Sequence, residues 1–110
     1  MKVLSYDELQ SPQSTAQVFN GFEHGVDVSF FVNHAEPGKV VSQHRHPYPE
    51  VFVVQDGEAT FTVDGEDIVA GAGRVIVVAA NASHGFAVTG DTTLEMVSIH
   101  PVAEMETEWL

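Results

Sequence analysis

Residues 38–57 read GKVVSQHRHPYPEVFVVQDG, and their reading decides the fold. Three side chains able to bind a metal, His44, His46 and Glu50, fall within seven residues. Side chains two apart on a strand point to one face, so His44 and His46 project together. Pro47 and Pro49 each lack a backbone N–H and forbid regular ladder pairing just after the histidines. The segment Pro47-Tyr48-Pro49 therefore turns the chain and brings Glu50 back beside them, at the start of the next strand. Imidazole nitrogens and a carboxylate oxygen, each at about 2.0–2.2 Å, suit a borderline divalent cation. His84 follows the Asn81-Ala82-Ser83 turn on a separate apolar segment and is placed to supply a fourth ligand from across the fold.

Outward from this stretch the pattern is strand-like throughout. Val26 to Val32 (VDVSFFV), Lys39 to Gln43, Val51 to Val54 (VFVV), Ala59 to Val63 (ATFTV) and Glu66 to Ala70 are short runs with period two or continuous apolar character. Val75 to Ala80 (VIVVAA), Gly85 to Thr89 and Thr93 to His100 (TTLEMVSIH) continue the series. Asp64-Gly65 is a two-residue hairpin signal and Gly71-Ala72-Gly73 a turn. Strands recurring every eight to twelve residues with such turns predict an all-β sandwich or barrel. Ser5-Tyr6-Asp7-Glu8 reads as a capping box and Pro12 as a stop, which predicts a short N-terminal helical turn over residues 6–10. The acidic tail, Val102 to Leu110, either docks through Met105, Trp109 and Leu110 or frays.

The chain has 110 residues, 44% of them apolar, enough for one core and one domain over residues 1–110. It has no cysteine, so disulfides, thiolate metal sites and a cysteine nucleophile are excluded. This accords with a reducing cytoplasm. Sixteen Asp and Glu face four Lys and Arg, for a net charge of -12, which repels phosphate backbones and excludes nucleic acid as an expected partner. Met1 to Gln10 lacks the apolar core of a signal peptide, and no run approaches the ~18 apolar residues of a membrane span. A cytoplasmic protein with no membrane partner is the expectation.

The stretch Gly38 to Gly57 resembles the first motif of the cupin superfamily, G-x5-H-x-H-x3-E-x6-G, at every position. Residues 73–88 resemble the second motif in part: Gly73 and His84 are in place, but Ala79, Asn81 and Val88 stand where Pro, Gly and Asn are usual. Asn81 tolerates left-handed backbone, so the turn survives. Fifteen residues separate the motifs, as in compact single-domain cupins. The resemblance implies a jelly-roll-like β-barrel with a metal inside it. It implies His44, His46, Glu50 and His84 as ligands of one divalent transition metal, whether Fe, Mn, Ni, Co, Cu or Zn.

Strand parity then predicts a wall. With the ligands facing inward, Val40 and Ser42 share the face of His44, Phe52 and Val54 that of Glu50, and Phe86 and Val88 that of His84. Tyr48 flanks the site, and the cavity is expected to be mostly apolar. Arg45 has the opposite parity and is expected to pair with surface acids. Val41, Val51 and Val53 face outward and are also apolar. A strand apolar on both faces needs cover on both, which predicts a homodimer. His24, His34 and His100 are expected to be surface or satisfied histidines, with His34 able to approach the cavity.

Three imidazoles and one carboxylate leave open positions on a six-coordinate metal, as in non-haem oxygenase irons. The resemblance thus points to a metal-dependent dioxygenase of the quercetinase-like type, acting on an aromatic or diketone small molecule, with Glu50 catalytic. The alternatives are a metal-dependent isomerase or lyase, and a non-enzymatic small-molecule binding protein. An elemental analysis and a turnover assay separate them.

Overall fold

The computed structural model describes Met1–Leu110 as two five-stranded antiparallel sheets packed face to face. Helix α1 (Tyr6–Leu9) precedes strands β1 (Gln17–Phe19), β2 (Ser29–Ala35), β3 (Val40–Arg45), β4 (Glu50–Asp56) and β5 (Glu58–Val63). Strands β6 (Glu66–Gly71), β7 (Val75–Val78), β8 (His84–Ala87), β9 (Leu94–His100) and β10 (Glu108–Trp109) complete the fold. One sheet runs β1-β2-β9-β4-β7 and the other β10-β3-β8-β5-β6. Consecutive strands therefore cross repeatedly between sheets, which is the jelly-roll arrangement expected. No helix is long and apolar enough to cross a membrane.

Alternation along the strands separates core from surface. In β4, Glu50, Phe52 and Val54 are buried while Val51 and Val53 are half-buried. In β9, Leu94, Met96, Ser98 and His100 all face inward. Phe52, Val54, Phe61, Val78, Phe86, Val88, Leu94 and Met96 form the body of one core. Fully burying side chains of this size stabilises the fold by about 1.5–3 kcal/mol each. Asp64 and Gly65, at φ +48° and +81°, make the tight β5–β6 turn that their sequence signals.

Gly57 shows why a glycine closes the first motif. Its φ is +81°, and a Cβ there would lie 2.7 Å from the Thr93 carbonyl oxygen and 2.9 Å from Leu94 Cα. The β4–β5 turn thus packs directly on the start of β9.

Several elements differ from expectation. The strand expected from Val26 begins only at Ser29, because the Val26 N–H turns back to the Gly21 carbonyl. Strands β1 and β10 were not foreseen: both are very short and take their shape from their partners β2 and β3. The tail docks. Glu108 and Trp109 pair with Arg45 and His44, and Arg45 Nε and Nη2 each donate to the Glu108 carboxylate at 3.0 Å.

The largest difference lies in β3. Val41 pairs with Phe86 and His44 with His84, so three steps on β3 match two on β8. This is a β-bulge, and it shifts the parity of the strand by one. Val40 (62% exposed) and Ser42 are turned outward, and Val41 faces the cavity instead. Gly85 of β8 accommodates the bulge: a Cβ there would lie 2.6 Å from the Val41 carbonyl oxygen and 2.8 Å from Gln43 Nε2.

Candidate metal centre

His44, His46, Glu50 and His84 meet between the two sheets, each at least nine-tenths buried. One ligand atom from each lies within 4.8 Å of the others. His44 and His84 are cross-strand partners in one sheet, and Glu50 opens β4 in the other. The Asn81 N–H donates to the His46 carbonyl at 2.7 Å, tying the turn before His84 to the first histidine pair. Asn81 adopts φ +67°, the left-handed geometry its amide side chain tolerates.

The hydrogen bonds assign the tautomers. Nδ1 of His44 meets the Ser42 carbonyl at 2.8 Å, Nδ1 of His46 the Glu106 carbonyl at 2.8 Å, and Nδ1 of His84 the Ala82 carbonyl at 2.9 Å. A carbonyl only accepts, so each Nδ1 carries the proton and each neutral ring presents a bare Nε2 lone pair inward. Nε2 of His46 and of His84 each lie 3.0 Å from Glu50 Oε1. Lone pairs facing a carboxylate oxygen repel unless a cation lies between them. His46 Nε2 is buried, and Glu50 Oε1 is the polar atom it faces. Adjacent ligands at about 2.1 Å from one metal stand about 3 Å apart, so these separations fit a shared ion. The site takes one divalent transition metal.

Without a metal, charge partners the same atoms. Burial alone would push the Glu50 carboxyl up, but hydrogen bonds from His100, His46 and His84 outweigh it and hold the carboxyl far below the usual carboxylate range. Burial lowers His44, and the neighbouring His84 and His46 add to that, against an opposing hydrogen bond to Ser42. For His46 burial is also the largest influence. The Glu50 and Glu106 hydrogen bonds and the Glu50 charge together overcome it and raise the pKa.

A cavity of about 300 Å³ opens beside the four residues. Phe31, Val41, Phe52, Phe86 and Trp109 supply apolar lining, and the Trp109 ring lies 4.7 Å from the His44 ring. Asn33, Ser98 and His100 add polar groups, Ser98 paired between Phe31 and Phe52, and His34, Lys39 and Thr15 also line the space. Of the wall expected from parity, Phe52 and Phe86 stand in it. Val54 and Val88 face inward but lie in the core cluster, away from the lining. Tyr48 is buried behind His46, its ring stacked at 5.1 Å, rather than in the wall. Val40 and Ser42 are outside because of the bulge.

His34 does reach the cavity, bonding Glu95 and Gln17. His24 stacks on Phe19 away from it. His100, expected to be a surface or satisfied histidine, is a satisfied one: it is 3% exposed, its Nδ1 meets the Tyr48 hydroxyl at 2.8 Å and its Nε2 lies 3.2 Å from Glu50 Oε2. The parity of β9 signals this: Ser98 and His100 continue the inward face of Leu94 and Met96. Polar side chains on a core face mark a cavity.

The model of the family described as Cupin domain matches residues 31–100. The chain belongs to the cupin family. This cupin is 36% identical over 62 residues to polyketide synthase CurC of Streptomyces cyaneus, a match covering 56% of the chain and 40% of that protein. Among solved structures it resembles Bacillus subtilis oxalate decarboxylase. One such structure, described for its Mn(II) centres, aligns at a TM-score of 0.82 and 22% identity over 96% of this chain and 31% of the other. Another, determined at pH 4.6, aligns at 0.78 and 23% over 93% and 29%. The cupin thus spans less than half the length of each of these proteins, and at such identity the structural likeness speaks for the fold.

Proposed function

We propose that this cupin is a metal-dependent oxidoreductase of the dioxygenase type, acting on a flat aromatic or β-diketone small molecule. The observation that carries the reading is a cavity whose lining interleaves aromatic side chains with a few polar groups beside the three imidazoles and Glu50. About 300 Å³ is at the small end of ligand sites and suits a compact ring system.

Held by His44, His46, Glu50 and His84, a redox-active divalent metal supplies Lewis acidity toward a substrate oxygen and electron transfer with dioxygen. The protein does the rest. Phe52, Phe86 and Trp109 take the flat body and exclude water from it. Asn33 Nδ2 donates to Ser98 Oγ at 3.1 Å, which leaves the Ser98 proton and the Asn33 carbonyl oxygen as one donor and one acceptor for a hydroxyl or keto group. Glu50 turns Oε1 to the imidazoles and Oε2 to His100, and we assign the removal of an enol or phenol proton to the lone pair of Oε2 left beside the His100 N–H. The similarity to a protein named a polyketide synthase supports this substrate class, because polyketide chemistry makes β-dicarbonyls and phenols.

The polar lining groups favour a second reading, a metal-dependent lyase or isomerase acting on a small keto acid with Lys39 at the rim. Oxygen uptake by the Fe(II), Mn(II), Ni(II), Co(II) and Cu(II) forms, followed with flavonols and β-diketones, separates the two. Uptake matched by oxygen gained in the product supports the dioxygenase. Substrate loss without uptake replaces it with the lyase. Stabilisation by a molecule that is never consumed replaces both with a binding protein.

We also propose a homodimer, formed through the outer face of β4, β7 and β9. Val41 now faces inward, but Val51 and Val53 stand between Val77 and Ile99 and between Val75 and Val97 across three strands. Val75 and Val77 are 60% and 70% exposed. An uncharged, ridged sheet face of this kind suits a second copy of itself. A monomeric mass in sedimentation at micromolar concentration would refute the dimer.

A further inference from the structure

We propose that the Tyr48 hydroxyl is a positioning group of the metal centre, tying the ligands Glu50 and His46 to each other and to the C-terminal strap, residues 101–110. The inference rests on the metal site and is independent of which reaction runs there.

A phenol has one proton to donate and lone pairs to accept with. The Tyr48 hydroxyl lies 2.8 Å from His100 Nδ1 and receives the Glu106 N–H at 3.1 Å. The Glu106 carbonyl, at 3.3 Å, is the more distant taker of its proton. With that proton given to Nδ1, the His100 ring carries its own on Nε2, facing Glu50 Oε2 at 3.2 Å. His100 thereby occupies the second carboxylate oxygen and leaves Oε1, 3.0 Å from His46 and His84 Nε2, for the metal.

The other arm runs through one peptide. Tyr48 holds the Glu106 N–H, and the carbonyl of Glu106 receives the His46 Nδ1–H at 2.8 Å, setting that ring's tautomer and direction. The Tyr48 ring also stacks on His46 at 5.1 Å and 14°. One buried hydroxyl therefore governs a carboxylate and an imidazole ligand from opposite sides.

The same hydroxyl is one of the strap's buried holds on the barrel, at its middle. Residues 102 and 103 are held separately, by the buried Ser29 hydroxyl and the Phe22 N–H, and residues 107–110 by β10, the Leu110 N–H to the Gln43 carbonyl and the exposed Arg45–Glu108 pair, so that Glu106 between them rests on Tyr48 and His46. The strap carries Thr107 and Trp109 to the cavity. Metal uptake pulls on His46 and Glu50, and Tyr48 passes that order to residues 106–109.

Two measurements test this. Hydrogen exchange on the wild-type protein, metal-free and Zn(II)-saturated, should show added protection at the Glu106 to Trp109 amides when Zn(II) binds. Tyr48→Phe keeps the stacked ring and removes only the hydroxyl. It should weaken Zn(II) binding about 10–100-fold and change the Co(II) absorption spectrum, with core-strand amides protected as in wild type. It should also abolish the metal-dependent protection of the strap. Strap protection in wild type that ignores the metal would overturn the proposal, and needs no variant to fold. So would a Tyr48→Phe protein whose Zn(II) affinity and Co(II) spectrum match wild type. A wild-type protein that takes up neither ion would instead refute the metal centre itself.

Discussion

Substituting Gly85 by Ala tests the bulge on which the site geometry depends. The added Cβ would lie 2.6 Å from the Val41 carbonyl oxygen, 2.8 Å from Gln43 Nε2 and 3.1 Å from Ser42 C. The Gln43 amide can swing aside, but the other two contacts are main chain, so β3 must lift from β8. Overpacking of this kind costs about 1–3 kcal/mol. For a chain of about this size each kcal/mol lowers Tm by about 4–8 °C, so the metal-free protein should melt roughly 5–20 °C lower. His44 and His84 are the next cross-strand pair beyond the bulge, so their Nε2 atoms part as the strands separate. Zn(II) affinity should fall at least about tenfold, the scale on which displaced ligand supports act. Thermal unfolding with and without Zn(II), and chelator competition, measure both effects. Gly71→Ala is the control, because its Cβ would meet only the Gly57 carbonyl oxygen, at an ordinary 3.6 Å. A Gly85→Ala protein with unchanged Tm and Zn(II) affinity would refute the claim that this glycine makes room for the bulge.

His84→Ala should lose tight metal binding and, with it, the lowering of Tm that a chelator causes in wild type, since a ligand that binds only the folded state stabilises it. Metal content after dialysis should fall as pH drops through about 6.5 and vanish near pH 4, because protons compete for each Nε2. The competition at His46 starts at higher pH than for an ordinary histidine, since its pKa is raised in the metal-free protein. Content that stays constant down to pH 4 would rule out these histidines as ligands. Leu94→Ala empties a fully buried position and should cost about 2–5 kcal/mol in chemical denaturation, with the metal still bound. Val77→Lys should turn a dimer into a monomer in sedimentation without changing metal affinity, because Val77 lies on the outer face of an edge strand.

Local sequence was enough for the strands, the Asp64-Gly65 hairpin and the grouping of His44, His46 and Glu50, and the resemblance to the second cupin motif added His84. Each follows from side-chain period, proline placement or motif spacing, which neighbouring residues determine. Phe52 and Phe86 were legible for the same reason: their strands are regular. Val40 and Ser42 were misread because a bulge depends on what lies opposite. No residue of β3 announces it, and the space for it belongs to Gly85 on another strand.

His100 and Trp109 needed the tertiary structure for a different reason. A histidine at a strand's end and a tryptophan in an acidic tail have no local pattern that sets their surroundings. They reach the site only because β9 lies beside β4 and β10 beside β3. Local sequence sets the series of strands and the grouping of His44, His46 and Glu50, since backbone period and proline placement are local properties, while the barrel and the part of His84 came through the resemblance to the cupin motifs. The tertiary structure alone decided which faces line the cavity, which histidine holds the second oxygen of Glu50 and where the tail lies, since those depend on pairing between residues far apart in the chain.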